Sequence, residues 1–214
     1  IGLFGFFGAM LIVFVLVYLS QFLKSSQHAS LLLLGIALSL FYTSALMIVF
    51  YLGDPMQNDM LIRFTMGSLS IIGWSNPILL GIISLALFIS VYAYRFELQI
   101  LSISEDQAKL KGIHAKKLTL ILLTISSLGI GTLVSISGPI GFIGLIVPHI
   151  ITKLYPTSVS SRIIKTALFG GFFLVFCDTI TRSLSTQSEL PIGIITALIG
   201  APFFIYLIIT KATR

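Results

Sequence analysis

Apolar residues gather along this chain into long blocks, with polar residues confined to short stretches between them. Six blocks reach the length of a membrane crossing, about 20 predominantly apolar residues: Ile1 to Leu23, Leu31 to Leu52, Asn76 to Tyr94, Leu118 to Ile136, Ile163 to Arg182 and Pro191 to Thr210. A backbone surrounded by lipid must satisfy its own amides, so each block is predicted to be a helix. Two apolar segments are less regular. Leu61 to Trp74 is too short to cross and reads as re-entrant. Gly138 to Thr152 is short, glycine-rich and interrupted by Pro139 and Pro148, and reads as a shortened span. The predicted fold is an all-α membrane protein, a polytopic helical bundle of about seven spans plus the re-entrant segment. Residues 1–214 then form a single transmembrane domain.

Composition supports the bilayer and adds an orientation. Hydrophobic residues make up 57% of the chain and charged ones 9%, with a mean hydropathy of +1.08; soluble domains carry about 25% charged residues. Loops kept in the cytoplasm are enriched in Lys and Arg. One side of the bundle can collect every Lys and Arg except Arg63 and Arg182, which have Asp54, Asp59 and Glu189 near them. That alternation requires Gly138 to Thr152 to cross; the carboxy terminus is then cytoplasmic and the first span runs inward. The net charge of +6 is thus written in short loops between spans, which argues against nucleic acid as a partner and for the lipid bilayer. The single Cys177 lies in an apolar run, so there is no disulfide framework. Ile1 to Ser20 lacks the basic start and cleavage site of a signal peptide, and the chain is read as a fragment.

Three segments carry candidate chemistry. In the longest polar stretch, Glu97 to Lys117, Ser104 followed by Glu105, Asp106 and Gln107 is a capping-box start, and Gly112 supplies a stop. A short helix is predicted there, with Ile103, Gln107 and Leu110 on one face and Asp106 and Lys109 elsewhere. Two readings stay open: a helix that docks into a partner's groove, or a connector lying on the membrane surface.

The second segment is SGPIGFIGLIVPHI, Ser137 to Ile150. Gly138, Gly141 and Gly144 would let a neighbouring backbone approach closely, while Pro139 and Pro148 each lack a helical donor. Irregular backbone at membrane depth belongs inside an assembly, so this stretch is expected away from lipid and at a place where two helix packings differ. His149 has no second His, Cys or carboxylate spaced to join it, so it reads as a hydrogen-bonded structural residue and no metal is expected. The third segment holds Asp178 and Arg182, one helical turn apart at the outward end of a span. The pair is either an intrahelical ion pair with a snorkelling Arg or a docking point for an external partner. Ser127, Gly131 and Ser135 add a small-residue stripe suited to close helix packing. No phosphate loop, H-E-x-x-H, paired-Cys motif or G-x-S-x-G elbow occurs, so no cofactor is expected on this chain and any ATP must be bound by another.

The blocks SGPIGFIGLIVPHI, CDTITR at Cys177 to Arg182 and ELPIGIITALIGAPFFIYLI at Glu189 to Ile208 resemble, in order and spacing, the FecCD-type permeases of ATP-driven iron-siderophore, haem and cobalamin importers. LLLLGIALS near Leu31 and MGSLSIIGW at Met66 to Trp74 add weaker support. The resemblance covers nearly the whole chain as the carboxy-terminal two-thirds of such a permease, and implies that amino-terminal spans precede Ile1. It implies a bacterial cytoplasmic membrane location, a second permease subunit in a homo- or heterodimer, ATP-binding subunits and an extracytoplasmic substrate-binding protein. Residues 102–113, including Ser102, Ala108 and the predicted helix, would be the coupling region for the ATP-binding subunits. Arg182 would meet a carboxylate of the binding protein. Gly138, Pro139, Gly141, Gly144, Pro148, His149 and Asp178 would belong to helix packing and the pathway.

Two positions depart from the family pattern: Ser104 stands where Gly is usual, and Thr152 where Arg is usual, with Lys153 unable to form a two-pronged contact. The rival readings are an ion-gradient-driven secondary transporter, which should show several charged residues near the midplane, and an intramembrane enzyme. Asp178 is the only carboxylate inside a span, and no nucleophile or metal set is present for an enzyme.

Overall fold

The computed structural model describes residues 2–20, 28–69, 74–155, 158–184 and 190–212. Among them the chain is helical with no strand: α1 (Gly2–Ser20), α2 (His28–Leu52), α3 (Pro55–Thr65), α4 (Ser75–Ala93), α5 (Arg95–Ile103), α6 (Glu105–Leu110), α7 (Ala115–Ser137), α8 (Ile143–Leu154), α9 (Val159–Leu184) and α10 (Ile192–Ala212). Among the described residues, four helical stretches are long and apolar enough to cross a membrane: Leu33–Leu52, Ser75–Ala93, Ala115–Ser137 and Val159–Leu184. Ile143–Leu154 and Ile192–Leu207 are shorter apolar stretches. At 1.5 Å per residue α8 covers only about 18 Å, against a hydrocarbon core of about 30 Å.

Hydroxyl side chains within these helices turn back to their own backbone, because lipid offers them no other acceptor. Thr43, Thr124, Thr132 and Thr179 each donate to the carbonyl four residues earlier, at 2.6–2.8 Å.

Where α8, α9 and α10 pack together, Ile146, Val147, Cys177, Thr181, Ile192 and Thr196 are buried. Helix α7 is packed against α1 and α4. Gly129 of α7 lies against the Leu87 side chain of α4, where even a methyl group would overlap. In the small-residue stripe Gly131 and Ser135 are buried and Ser127 is half-buried. Large apolar side chains elsewhere face outward, Leu40, Leu85 and Phe172 among them, as expected where the solvent is lipid.

Two expectations shift. The apolar segment Leu61 to Trp74 is preceded by polar residues that already belong to α3, because Pro55 opens a helix at its first position and Asn58 ties it down. The Asn58 amide donates to the carbonyls of Phe50 and Gly53, at 2.7 and 3.3 Å, and fixes the corner between α2 and α3. Beyond α3, residues 66–69 turn back into the bundle, while residues 70–73 lie outside the described residues. The stretch Glu97 to Lys117, expected to hold one helix, holds most of α5, all of α6 and the first residues of α7. Ser104 is extended, with φ −164° and ψ 136°, so Ile103 closes α5 and cannot share a helix face with Gln107 and Leu110.

Candidate functional site

Three places along the bundle carry features that function can use. They are distributed between its two ends, and α7 and α9 run between those ends.

At the basic end, α5 and α6 form a tight helical pair. Ser104 begins α6 by accepting a hydrogen bond at its Oγ from the Asp106 amide, at 3.2 Å. The helix ends in a paired cap: the Gly112 amide donates to the Lys109 carbonyl at 2.9 Å and the Ile113 amide to the Ala108 carbonyl at 2.8 Å. That closure needs the positive φ of 74° that Gly112 adopts. Between Ser104 and Gly112 the sequence thus supplies a start, a stop and an Asp106–Lys109 pair at 3.3 Å. Ala108 is fully buried, while Ile103 is 66% and Leu110 89% exposed. Ser102 and Gln107 are also exposed, and Ser102 donates to the Gln99 carbonyl. Glu105 is the first residue of α6. The pair is pinned through Ala108 and presents apolar side chains outward.

We expect Ser104→Ala to destabilise α6 by about 1 kcal/mol, and Ser104→Gly by only a few tenths, since glycine is a tolerated N-cap. Amide hydrogen exchange across Glu105–Leu110 would read the first as roughly fivefold faster exchange. Equal exchange in all three proteins would mean that the cap does not hold the helix. Glycine, usual here by the resemblance, therefore keeps most of the capping.

Midway in sequence, the Gly138 stretch meets two other segments. Gly138 has φ 71° and ψ 172°, a region open essentially to glycine alone. A Cβ there would strike the Phe64 carbonyl oxygen and stand 3.0 Å from Gly67 Cα. Gly67 in turn lies under the Pro139 carbonyl, 2.6 Å from where its own Cβ would be. On the third side Gly193 is pressed against Met66, whose carbonyl accepts from the Gly193 amide at 3.1 Å. The Ser68 amide donates to the Ser137 carbonyl at 2.8 Å. The ends of α3 and α7 and the start of α10 are therefore joined backbone to backbone, with three glycines at the crossing. Beside this joint opens a groove of about 780 Å³, lined by Met66, Pro139, Gly141, Ala197 and Leu198 among others.

Of the three glycines expected to admit a neighbour, Gly138 is the one that other segments of this chain approach closely. Gly141 and Gly144 have no atom within 4 Å of a would-be Cβ. The close approaches at Gly67 and Gly193 were not legible, because each depends on contacts distant in sequence. Phe142 opens α8 in the left-handed region, φ 67°, and its ring and Cβ fill the space left by Gly200 of α10. Pro148 lies inside α8. His149 Nδ1 is 2.7 Å from the Leu145 carbonyl and donates to it, since a carbonyl only accepts. No group of three metal-binding side chains occurs among the described residues. Thr152 donates to the Pro148 carbonyl at 2.8 Å, and Lys153 Nζ lies 5.6 Å from the centre of the Tyr206 ring.

At the other end, Arg182 Nε donates to Asp178 Oδ2 at 2.7 Å, with the carboxylate mostly covered and the Arg side chain 58% exposed. Sequence reasoning placed Asp59 near Arg63 without pairing the two; their Oδ2 and Nε atoms lie 3.0 Å apart on α3. The same i, i+4 spacing could have revealed the pair. Both arginines excepted from the basic side thus carry an aspartate one turn earlier.

The family model described as the FecCD transport family matches residues 1–210. This chain belongs to the FecCD transport family. It is 32% identical over 207 residues to the hemin transport system permease protein HmuU of Yersinia pestis, covering 97% of this chain and 62% of that protein. It is 32% identical over 203 residues to the vitamin B12 import system permease protein BtuC of Pectobacterium atrosepticum, covering 94% and 60%. Among solved structures, an inward-facing metal-chelate-type ABC transporter superposes with a TM-score of 0.82 at 29% identity, over 98% of this chain and 71% of the other. The FecCD chain described here spans about three-fifths of the length of the curated relatives it matches.

Proposed function

We propose that this chain is the membrane-spanning permease of an ATP-binding-cassette importer for a metal chelate, and that the chelate is an iron(III)-siderophore. The observation that carries the reading is the α5–α6 pair, capped at both ends of α6, pinned at Ala108 and apolar outward at Ile103 and Leu110, within a chain of this family. Such a surface suits the groove of a partner helix or domain. The relatives named for hemin and vitamin B12, and the metal-chelate-type transporter, support the metal-chelate class.

In this proposal ATP is bound and hydrolysed by separate subunits that seat on residues 102–113, and the permease itself makes and breaks no covalent bond. A push on α6 reaches α7, and through α5 it reaches α9, because α6 packs on α5 and α7 while α5 packs on α9. Helix α7 leads to the Gly138 joint and α9 to Asp178 and Arg182. A loaded extracytoplasmic binding protein docks at Arg182, whose exposed guanidinium can share Asp178 with an incoming carboxylate. A second permease subunit completes the path, the groove beside Gly138 facing it, in a bacterial cytoplasmic membrane with the carboxy terminus inside.

The test is to purify the full-length permease and measure uptake into vesicles. We expect it to co-purify with an ATPase subunit and to move ferric siderophore only with ATP and binding protein present. Uptake driven by a proton gradient alone would overturn the importer reading in favour of a secondary transporter. Arg182→Glu is expected to weaken binding-protein affinity at least tenfold, since it turns an attraction into a repulsion; unchanged affinity removes Arg182 from the docking surface. Haem or cobalamin stimulating the ATPase in place of ferric siderophore would correct the substrate alone.

A further inference from the structure

A groove of about 440 Å³ opens on the side of the bundle between α4, α7 and α9. Leu87, Phe88 and Val91 of α4, Ile130 of α7 and Ile163 of α9 form its apolar walls, and one charged side chain, Arg162, lines it. Arg162 stands in the first turn of α9, at the basic end of the bundle, while Ile130 lies deeper along α7. The groove therefore runs from the polar boundary of the membrane into the region of the hydrocarbon.

The same two helix ends carry further cations, each over an aromatic ring. The Arg95 guanidinium, just past α4, is 4.4 Å from the centres of the Tyr92 and Phe96 rings. Lys165 Nζ, one turn beyond Arg162, is 4.4 Å from the centre of the Tyr155 ring. Cations paired with amphipathic rings mark the headgroup level of a membrane protein. A basic pocket between membrane helices at that level is suited to acidic lipid headgroups. An apolar groove lined by one guanidinium calls for an occupant with the complementary division: a hydrocarbon chain inside and an anion at the mouth. A membrane-spanning protein helix would fill the apolar part but would need a carboxylate placed at headgroup depth.

We propose that this groove holds one acidic phospholipid, with an acyl chain along Leu87, Phe88 and Ile163 and its phosphate on the Arg162 guanidinium, whose planar fork matches phosphate oxygens. The site is independent of the transport reading; it requires that the chain lie in a bilayer and that no further membrane span cover the groove. The test is native mass spectrometry of the full-length permease released from nanodiscs containing phosphatidylglycerol and phosphatidylcholine in equal parts. Wild type should retain phosphatidylglycerol over phosphatidylcholine by about fivefold, the effect expected of one cation near an anionic headgroup. Arg162→Lys should keep that preference and Arg162→Gln should abolish it. Ala167→Trp, which fills the groove from α9, should expel lipid of both kinds while leaving the melting temperature unchanged.

Equal retention of phosphatidylglycerol in wild type and Ala167→Trp would overturn the site, even if Arg162→Gln failed to fold. So would efficient cross-linking of Ile130→Cys to a second copy or to another membrane span, either of which would make a protein helix the occupant.

Discussion

Gly138→Ala is expected to cost the protein about 4 kcal/mol and to lower its melting temperature in detergent by about 10 °C, while Gly141→Ala and Gly144→Ala leave it within about 2 °C of wild type. Two separate terms act at Gly138. Its backbone, at φ 71° and ψ 172°, occupies a region that costs a residue with a Cβ about 1–3 kcal/mol. The added methyl would also meet the Phe64 carbonyl and Gly67 Cα, both backbone atoms that cannot rotate away, and overpacking of that kind costs about 1–3 kcal/mol more. The Ser68 to Ser137 hydrogen bond beside it holds the two strands of chain together and leaves little room to yield. Gly144 lies in α8 with open space around it, where alanine even gains helix propensity. Thermal unfolding followed by size exclusion would check all three. A Gly138→Ala protein as stable as wild type would mean that α7 and α3 can separate at this joint without cost.

The comparison of those glycines explains how far the sequence could be read. Period and run length identify helices because lipid leaves a backbone few alternatives, so α2, α4, α7, α9 and α10 fall within a few residues of their predicted bounds. The cap of α6 was legible because its hydrogen bonds, around Ser104 and Gly112, reach no further than five residues. What stayed hidden is contact between distant segments. Gly67 and Gly193 become essential only once Pro139 and Met66 are pressed on them, and nothing within ten residues of either announces that. Helix α5 was hidden for another reason. Its apolar residues Phe96, Ile100 and Ile103 recur at helical spacing, but Glu97, Gln99 and Ser102 between them make the stretch look like loop. At the outer end Asp178 and Arg182 were visible as a pair, and the structure gives them a bond of 2.7 Å.

Leu110→Asp is the substitution expected to separate folding from coupling. Leu110 is 89% exposed and ends α6 on its outward side, so losing it removes almost no packing within this chain. Surface changes of that kind alter stability by about 0.5 kcal/mol or less. In the proposed importer the same side chain sits at the centre of the contact with the ATP-binding subunit, where a buried apolar anchor is worth about 2 kcal/mol or more. Burying an unpaired carboxylate there costs further. The complex should therefore weaken by at least thirtyfold, and transport should fall with it, while melting temperature and binding-protein affinity stay at wild-type values. Ala108→Asp makes the contrast. Ala108 is fully buried, and a carboxylate there should unseat α6 from α5, raising hydrogen exchange across Glu105–Leu110 as well as abolishing transport. If Leu110→Asp bound its ATPase subunit as wild type does, the exposed end of α6 would be a membrane-surface connector, and the push would have to arrive elsewhere on the basic end of the bundle.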